Sequence, residues 1–266
     1  VKPRPPVVLT IAGFDPSGGA GIVADIRTIV QLGCRPAAAL TSLTFQNSAG
    51  VFGAIHETAK SLRAQVMPII EEMEVAAVKI GMLPTAELVS EVAAMIEESR
   101  LPPPVLDPVM KSSSDYELME PEALTLLKRE LLPLLRIITP NIAEAATLSG
   151  VDAFDERGMR HAAANLRQLG ARAVLIKGGH LEEESGVGSH ESGKNAEAID
   201  VLDEDGAVTV FRGPWIEAAP VRGTGCMLSS AIAAGLANGQ SLSESVAAAK
   251  EFVTAEIQNS KLTIQN

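Results

Sequence analysis

The stretch Pro220–Ala234, PVRGTGCMLSSAIAA, decides how the chain is read. Gly223-Thr224-Gly225 makes a turn whose small residues let the backbone come close to whatever it holds. An apolar segment of good helix formers follows directly. The first turn of such a helix leaves N–H groups unpaired and pointing outward, which suits an anion such as a phosphate. Cys226 falls where the helix begins. There a thiol pKa is expected to be lowered, which makes the group a base or a nucleophile. The same residues also fit a tight loop holding a small, half-buried cysteine, so the rest of the chain has to discriminate.

The chain has 266 residues, enough for one large α/β domain. Aromatic residues make up 3% of it and hydrophobic residues 46%, so its core is aliphatic. A net charge of −11 argues against nucleic acid as a partner, although a few N–H groups and one lysine can still hold a phosphate. No apolar run reaches about 18 residues, so no membrane span is expected. Cys34 and Cys226 lack paired spacing and read as free thiols of a reducing, cytoplasmic compartment. The chain opens at Val1 without a signal-peptide pattern, and the expectation is that a few residues precede it.

Strand-like and helical stretches alternate. Val7–Ala12 is a continuous apolar run of strand length, Gly13–Gly21 a dense turn signal, and Ala20–Leu32 an amphipathic helix. Further strands are expected at 37–45, 51–56, 75–80, 104–106, 136–139 and 173–177. Helices are expected at 59–73, at 84–99 with Pro84 at its start, and at 121–135, 141–148, 155–169 and 243–256. Asp203–Gly206 signals a late antiparallel hairpin, and Leu181–Asn195 reads as a mobile acidic loop. The expected fold is α/β, a three-layer sandwich with a mostly parallel sheet, spanning 1–266 as a single domain.

Several polar residues stand at strand ends, where open α/β sheets bind ligands. Asp25 is either a solvated helix carboxylate or faces the Gly13–Gly21 loop. Gln46 is either a turn residue or the reader of a ring bearing an amine and a ring nitrogen. Asn141 and Glu144, three apart at a helix start, fit a helix cap and equally fit the support of a metal-bound water. Lys177, before two glycines, fits a phosphate contact or a surface lysine.

Seven motifs in order carry a resemblance over nearly the whole chain: TIAGFDPSGGAGIVAD (10–25), TFQNSAGV (44–51), VKIGML (78–83), LDPVM (106–110), TPNIAEA (139–145), IKGGH (176–180) and GTGC (223–226). Together they resemble the ribokinase-like superfamily, and within it the bacterial hydroxymethylpyrimidine/phosphomethylpyrimidine kinases. The resemblance implies ATP as co-substrate, Mg²⁺, and a homodimer. It implies that Gly13, Asp25, Gln46, Met82 and Val109 bind the pyrimidine. It makes Cys226 the base, with Gly223, Thr224 and Gly225 completing an anion hole. Lys177, Asp107 and Thr139 would lie near the nucleotide phosphates, and Asn141 and Glu144 near the metal. Arg222 stands where these kinases usually carry His, the segment Lys111–Asp115 is short, and the usual glycine- and proline-bearing tail is absent. Two other readings stay open: a pyridoxal or pyridoxine kinase of the same superfamily, and a non-catalytic pyrimidine binder.

Overall fold

Val7–Phe14 (β1) is buried along nearly its whole length, because helices cover both faces of the sheet around it. The computed structural model describes residues 4–112, 114–180, 197–214 and 222–264. Within them the strands are β1, Arg35–Asn47 (β2), Gly50–His56 (β3), Val75–Ile80 (β4), Val105–Leu106 (β5), Ile137–Ile138 (β6), Ala173–His180 (β7), Glu197–Glu204 (β8) and Ala207–Pro214 (β9). They form one sheet in the order β3-β2-β1-β4-β5-β6-β7-β8-β9. The run from β2 through β7 in that order is parallel. The expected hairpin is there as β8–β9, turned at Asp205-Gly206, and β8 also pairs antiparallel with β7. The opposite edge is antiparallel too, since β3 folds back on β2.

The helices are Gly21–Gln31 (α1), Ala59–Glu72 (α2), Ala86–Ser99 (α3), Pro121–Leu126 (α4), Ile142–Ser149 (α5), Glu156–Gln168 (α6), Thr224–Ala237 (α7) and Leu242–Ile264 (α8). Strand residues alternate between two cores, as a pleated sheet covered on both faces requires. Leu9, Ile11, Val78, Ile80, Leu106, Ile138, Val174 and Ile176 pack on the side of α2–α6. Val8, Ala77, Val105, Ile137, Ala173 and Leu175 pack on the side of α1, α7 and α8.

Three expected helix boundaries move by two residues or more. Pro84 does not open α3; the Thr85 hydroxyl accepts from the Leu88 N–H and caps the helix one residue later. The helix expected over 121–135 is regular only to Leu126. It then passes through a wide turn and a tight turn containing Pro133, which has no N–H to donate. The last helix runs on to Ile264, since no glycine or proline interrupts 257–264. The loop expected at 181–195 lies outside the described residues.

The chain steps from β1 outward to β2, then returns to β4 on the other side of β1. Such a reversal leaves a crevice at the carboxyl ends of the two strands, because their connections leave in opposite directions.

Candidate active site

That crevice is an open cleft. Ala12 and Gly13 from β1, Gly81 and Met82 after β4, and Thr44 and Gln46 from β2 line it. Val109 and Leu118 form another wall, and Cys226 closes the end where α7 begins. An added Cβ on Gly13 would come within 3.0 Å of the Met82 sulfur, so a side chain there would have to displace that thioether. The backbone around the cleft is equally tight. Gly223 has φ 75°, and a Cβ there would lie 2.3 Å from the Gly19 carbonyl oxygen. The loop after β1 therefore rests directly on the turn before α7. Helix geometry directs the N–H groups of Thr224, Gly225 and Cys226 out of the helix end beside that contact.

Asp25 does not reach the cleft. It is fully buried, and both its oxygens are taken. Oδ1 accepts from Lys79 Nζ at 2.8 Å and Ser230 Oγ at 2.9 Å; Oδ2 accepts from Lys79 Nζ at 2.8 Å and Thr10 Oγ1 at 2.7 Å. Its partner Lys79 is the member of the pair that lines the cleft. Burial works against the Lys79 charge, but Asp25, helped by Cys226 and Asp107, holds its pKa above the usual lysine value.

Cys226 also departs from expectation. Burial pushes its thiol up to about 11 rather than down. Lys79 and the Gly21 N–H favour the thiolate, while Asp25 and Asp107 oppose it. The helix end alone does not outweigh removal of the sulfur from water.

On the far side of α7's first turn lies a second charged group. Lys177 Nζ donates to Asp107 Oδ1 at 2.8 Å. An added Cβ on Gly225 would come within 3.1 Å of Asp107 Oδ2 and 3.2 Å of Lys177 Nζ, so this pair sits against the turn. Asn141 and Glu144 make a reciprocal cap on α5: Asn141 Oδ1 accepts from the Glu144 N–H at 2.9 Å, and Glu144 Oε2 accepts from the Asn141 N–H at 2.8 Å. Burial raises the Glu144 carboxyl to about 7, with Asp107 adding to the rise and Lys177 opposing it. Among the described residues no three His, Cys, Asp or Glu side chains converge as a metal cage. Two carboxyl groups beside one lysine supply too few oxygen donors to cage an ion and would suit a hydrated cation better. Thr139, just past β6, is fully buried, and its hydroxyl donates to the carbonyl of Leu106, the residue before Asp107, at 3.3 Å.

A family model described as phosphomethylpyrimidine kinase matches residues 15–266. The chain belongs to this family. It is 42% identical to the hydroxymethylpyrimidine/phosphomethylpyrimidine kinase of Streptomyces coelicolor, over 95% of this chain and 89% of that one. Its structure is similar to the phosphomethylpyrimidine kinase of Clostridium difficile, with a TM-score of 0.80, 36% identity, and coverage of 95% and 99% of the two chains. It is also similar to an ADP complex of Bacillus subtilis pyridoxal kinase, with a TM-score of 0.81, 36% identity, and coverage of 94% and 91%.

For a phosphomethylpyrimidine kinase family member, the cleft brings together Gly13, Gln46, Met82, Val109 and Cys226 from among the residues singled out in sequence. Asp107, Lys177, Asn141 and Glu144 gather in the neighbouring charged group. Lys79, Asp15, Phe14, Thr44 and Leu118 border the cleft and were not anticipated. Lys79 carried a readable signal: a charge inside the apolar strand VAAVKI is buried and must have a partner.

Proposed function

We propose that the protein transfers the γ-phosphoryl group of ATP to the hydroxymethyl oxygen of 4-amino-5-hydroxymethyl-2-methylpyrimidine, then phosphorylates the monophosphate to the diphosphate used in thiamine biosynthesis. One observation carries the reading: the thiol of Cys226 and the first turn of α7 open onto the same cleft as Gln46 and Met82, with the Lys177–Asp107 pair against that turn. Gly13, Met82 and Val109 hold the ring faces, and Gln46 reads the ring edge. Cys226 takes the proton from the attacking hydroxyl, and Lys79 beside it makes the thiolate less costly. The N–H groups of Thr224, Gly225 and Cys226 hold the transferring phosphoryl, while Lys177 offsets charge on the nucleotide phosphates. Asn141 and Glu144 are the residues that would hold Mg²⁺ through water; the bound ion neutralises charge on phosphate oxygens.

The chain acts in this reading as one domain in the cytoplasm, paired with a second copy. The exposed Leu43, Phe45 and Ile55 of the β2–β3 hairpin support that pairing.

A coupled ADP-release assay with Mg-ATP, run with the aminopyrimidine and with pyridoxal and followed by product mass, tests the proposal. A doubly phosphorylated pyrimidine is expected. Turnover of pyridoxal alone would replace it with the second reading, which the similarity to pyridoxal kinases supports. Ring binding without ADP release would leave a non-catalytic binder.

A further inference from the structure

β7 departs from regular pairing with β8 at the point where it delivers Lys177. Lys177 stands opposite Asp200 and His180 opposite Ala198, so three steps along β7 match two along β8. The extra residue is a bulge, which bends a strand and re-aims its side chains. Gly178 allows it: a Cβ there would lie 2.0 Å from the Ile199 carbonyl oxygen. The Gly178 N–H donates to a side chain, Asp200 Oδ1, at 3.0 Å. Lys250 of α8 donates to the other oxygen, Oδ2. Asp200 is 7% exposed, so its carboxylate sits between these two donors with little access to water.

The same stretch of backbone is held from its other neighbour. The Lys177 N–H donates to the Pro140 carbonyl at 2.8 Å, and Lys177 bridges to Asn141, the cap of α5. Two successive N–H groups are thus fixed, one by the chain after β6 and one by a carboxylate of β8. A buried N–H without an acceptor is costly, so without Asp200 the bulge would shift to find another. The Lys177 stem starts at the residue before that N–H. A shift at Gly178 therefore swings the ammonium away from Asp107 Oδ1 and from the first turn of α7.

We infer that Asp200 is a positioning residue for phosphoryl transfer: by accepting the Gly178 N–H it fixes the bulge that aims Lys177 at the first turn of α7. The inference rests on the nucleotide role given to Lys177 under the proposed function. Lys250 has a separate part, since a carboxylate this buried needs a compensating cation. The acceptor oxygen aims the lysine, and the ion pair with α8 makes that oxygen tolerable in the interior. Misplacement of a charge beside a transferring group is felt in the rate, because transfer depends on position.

The test compares two double variants by steady-state ADP release, with Mg-ATP and the ring that the wild-type chain turns over. Asp200→Ala with Lys250→Met removes the acceptor and the ion pair together and leaves no lone charge, which favours folding. Asp200→Asn with Lys250→Met also lacks the ion pair but returns an oxygen to the Gly178 N–H. The alanine variant should lose at least about tenfold in kcat/KM for Mg-ATP, with the KM for the ring within about twofold. The asparagine variant should stay within about threefold of the wild-type chain. Lys177→Met should lose about a hundredfold, and adding it to the alanine variant should cost no more than Lys177→Met alone. Alanine and asparagine variants that behave alike, or an alanine variant whose loss persists in full beside Lys177→Met, overturn the inference and leave the role of Lys177 standing. A wild-type chain that releases no ADP, or Lys177→Met within about twofold of it, defeats the reading of Lys177 and the inference together.

Discussion

Lys79 Nζ lies 2.8 Å from each carboxylate oxygen of Asp25, and neither side chain has any exposure. β4 supplies the lysine and α1 the aspartate, so one ion pair joins the central sheet to the helix that follows the glycine-rich loop. Ser230 on α7 completes it. The groups nearest the thiol are thereby fixed relative to one another before any ligand arrives.

Removing one member of a buried pair leaves the other charge without compensation, which costs about 3–5 kcal/mol. Asp25→Asn and Lys79→Met should each destabilise the protein by about that much in urea unfolding. The double variant should be less destabilised than the sum of the two, because it leaves no lone charge. Strict additivity would show that the two groups do not interact.

The raised pKa of Cys226 predicts slow alkylation. With a value of about 11, roughly one thiol in ten thousand is ionised at pH 7 in the ligand-free protein. Iodoacetamide labelling at Cys226, followed by peptide mass, should accelerate as pH rises toward 11. A labelling rate already flat by pH 8 would mean the helix end outweighs burial after all.

Cys226→Ala should lower kcat by about 10²–10⁴-fold and change ring affinity little, as expected for loss of a general base. A fall of less than about tenfold would make the residue a packing group.

Glu144 gives the pH dependence of stability a definite sign. Its carboxyl titrates near 7 in the folded protein and at 4.5 without the fold. Between these values the folded state holds a proton that the unfolded state has lost, so stability falls as pH rises from about 4.5 to about 7 and is level above. The full effect is about 3 kcal/mol. Glu144→Gln keeps the cap but cannot ionise. It should match the wild-type chain at pH 4.5 and exceed its stability at pH 8, as measured by urea unfolding across that range. A wild-type curve parallel to that of the variant would contradict the assignment.

Two glycines of one turn should respond differently. Gly223→Ala places a Cβ 2.3 Å from the Gly19 carbonyl at φ 75°, so it should destabilise the fold and the turn together. Gly225 lies within α7, where alanine is the better helix former. Gly225→Ala should fold with its melting temperature kept, yet lose at least about a hundredfold in kcat, because the methyl group intrudes between Lys177, Asp107 and the phosphoryl position. Retained activity in Gly225→Ala would move the transfer site elsewhere.

Much of the architecture was legible in the chain because the signals were local. The six-residue run VAAVKI is β4 with both its expected ends. Asp155 and Asn141 cap their helices as their side chains allow at those positions. Helix ends near prolines were less legible: Pro84 fits an N-terminus, but the hydroxyl of Thr85 decides where α3 begins.

The candidate site divides the same way. Residues at strand ends and in the GTGC turn were identifiable because a sheet of this connectivity collects those ends in one crevice. Their electrostatics were not. A sequence lists Asp25, Lys79 and Cys226 far apart, and helix-end logic alone predicts a lowered thiol pKa. Burial depends on what α1, β4 and α7 together exclude from the sulfur, which no single segment encodes. The sequence by itself determined the order of elements, the glycines that permit the tight turns, and the kinds of groups available. Only the tertiary structure decided that Asp25 pairs with Lys79 behind the cleft, that the Thr139 hydroxyl donates to Leu106, and that Arg222 reaches Asp15. Hydrogen bonds and desolvation act over a few ångströms, and those distances exist only once the sheet has brought remote segments together.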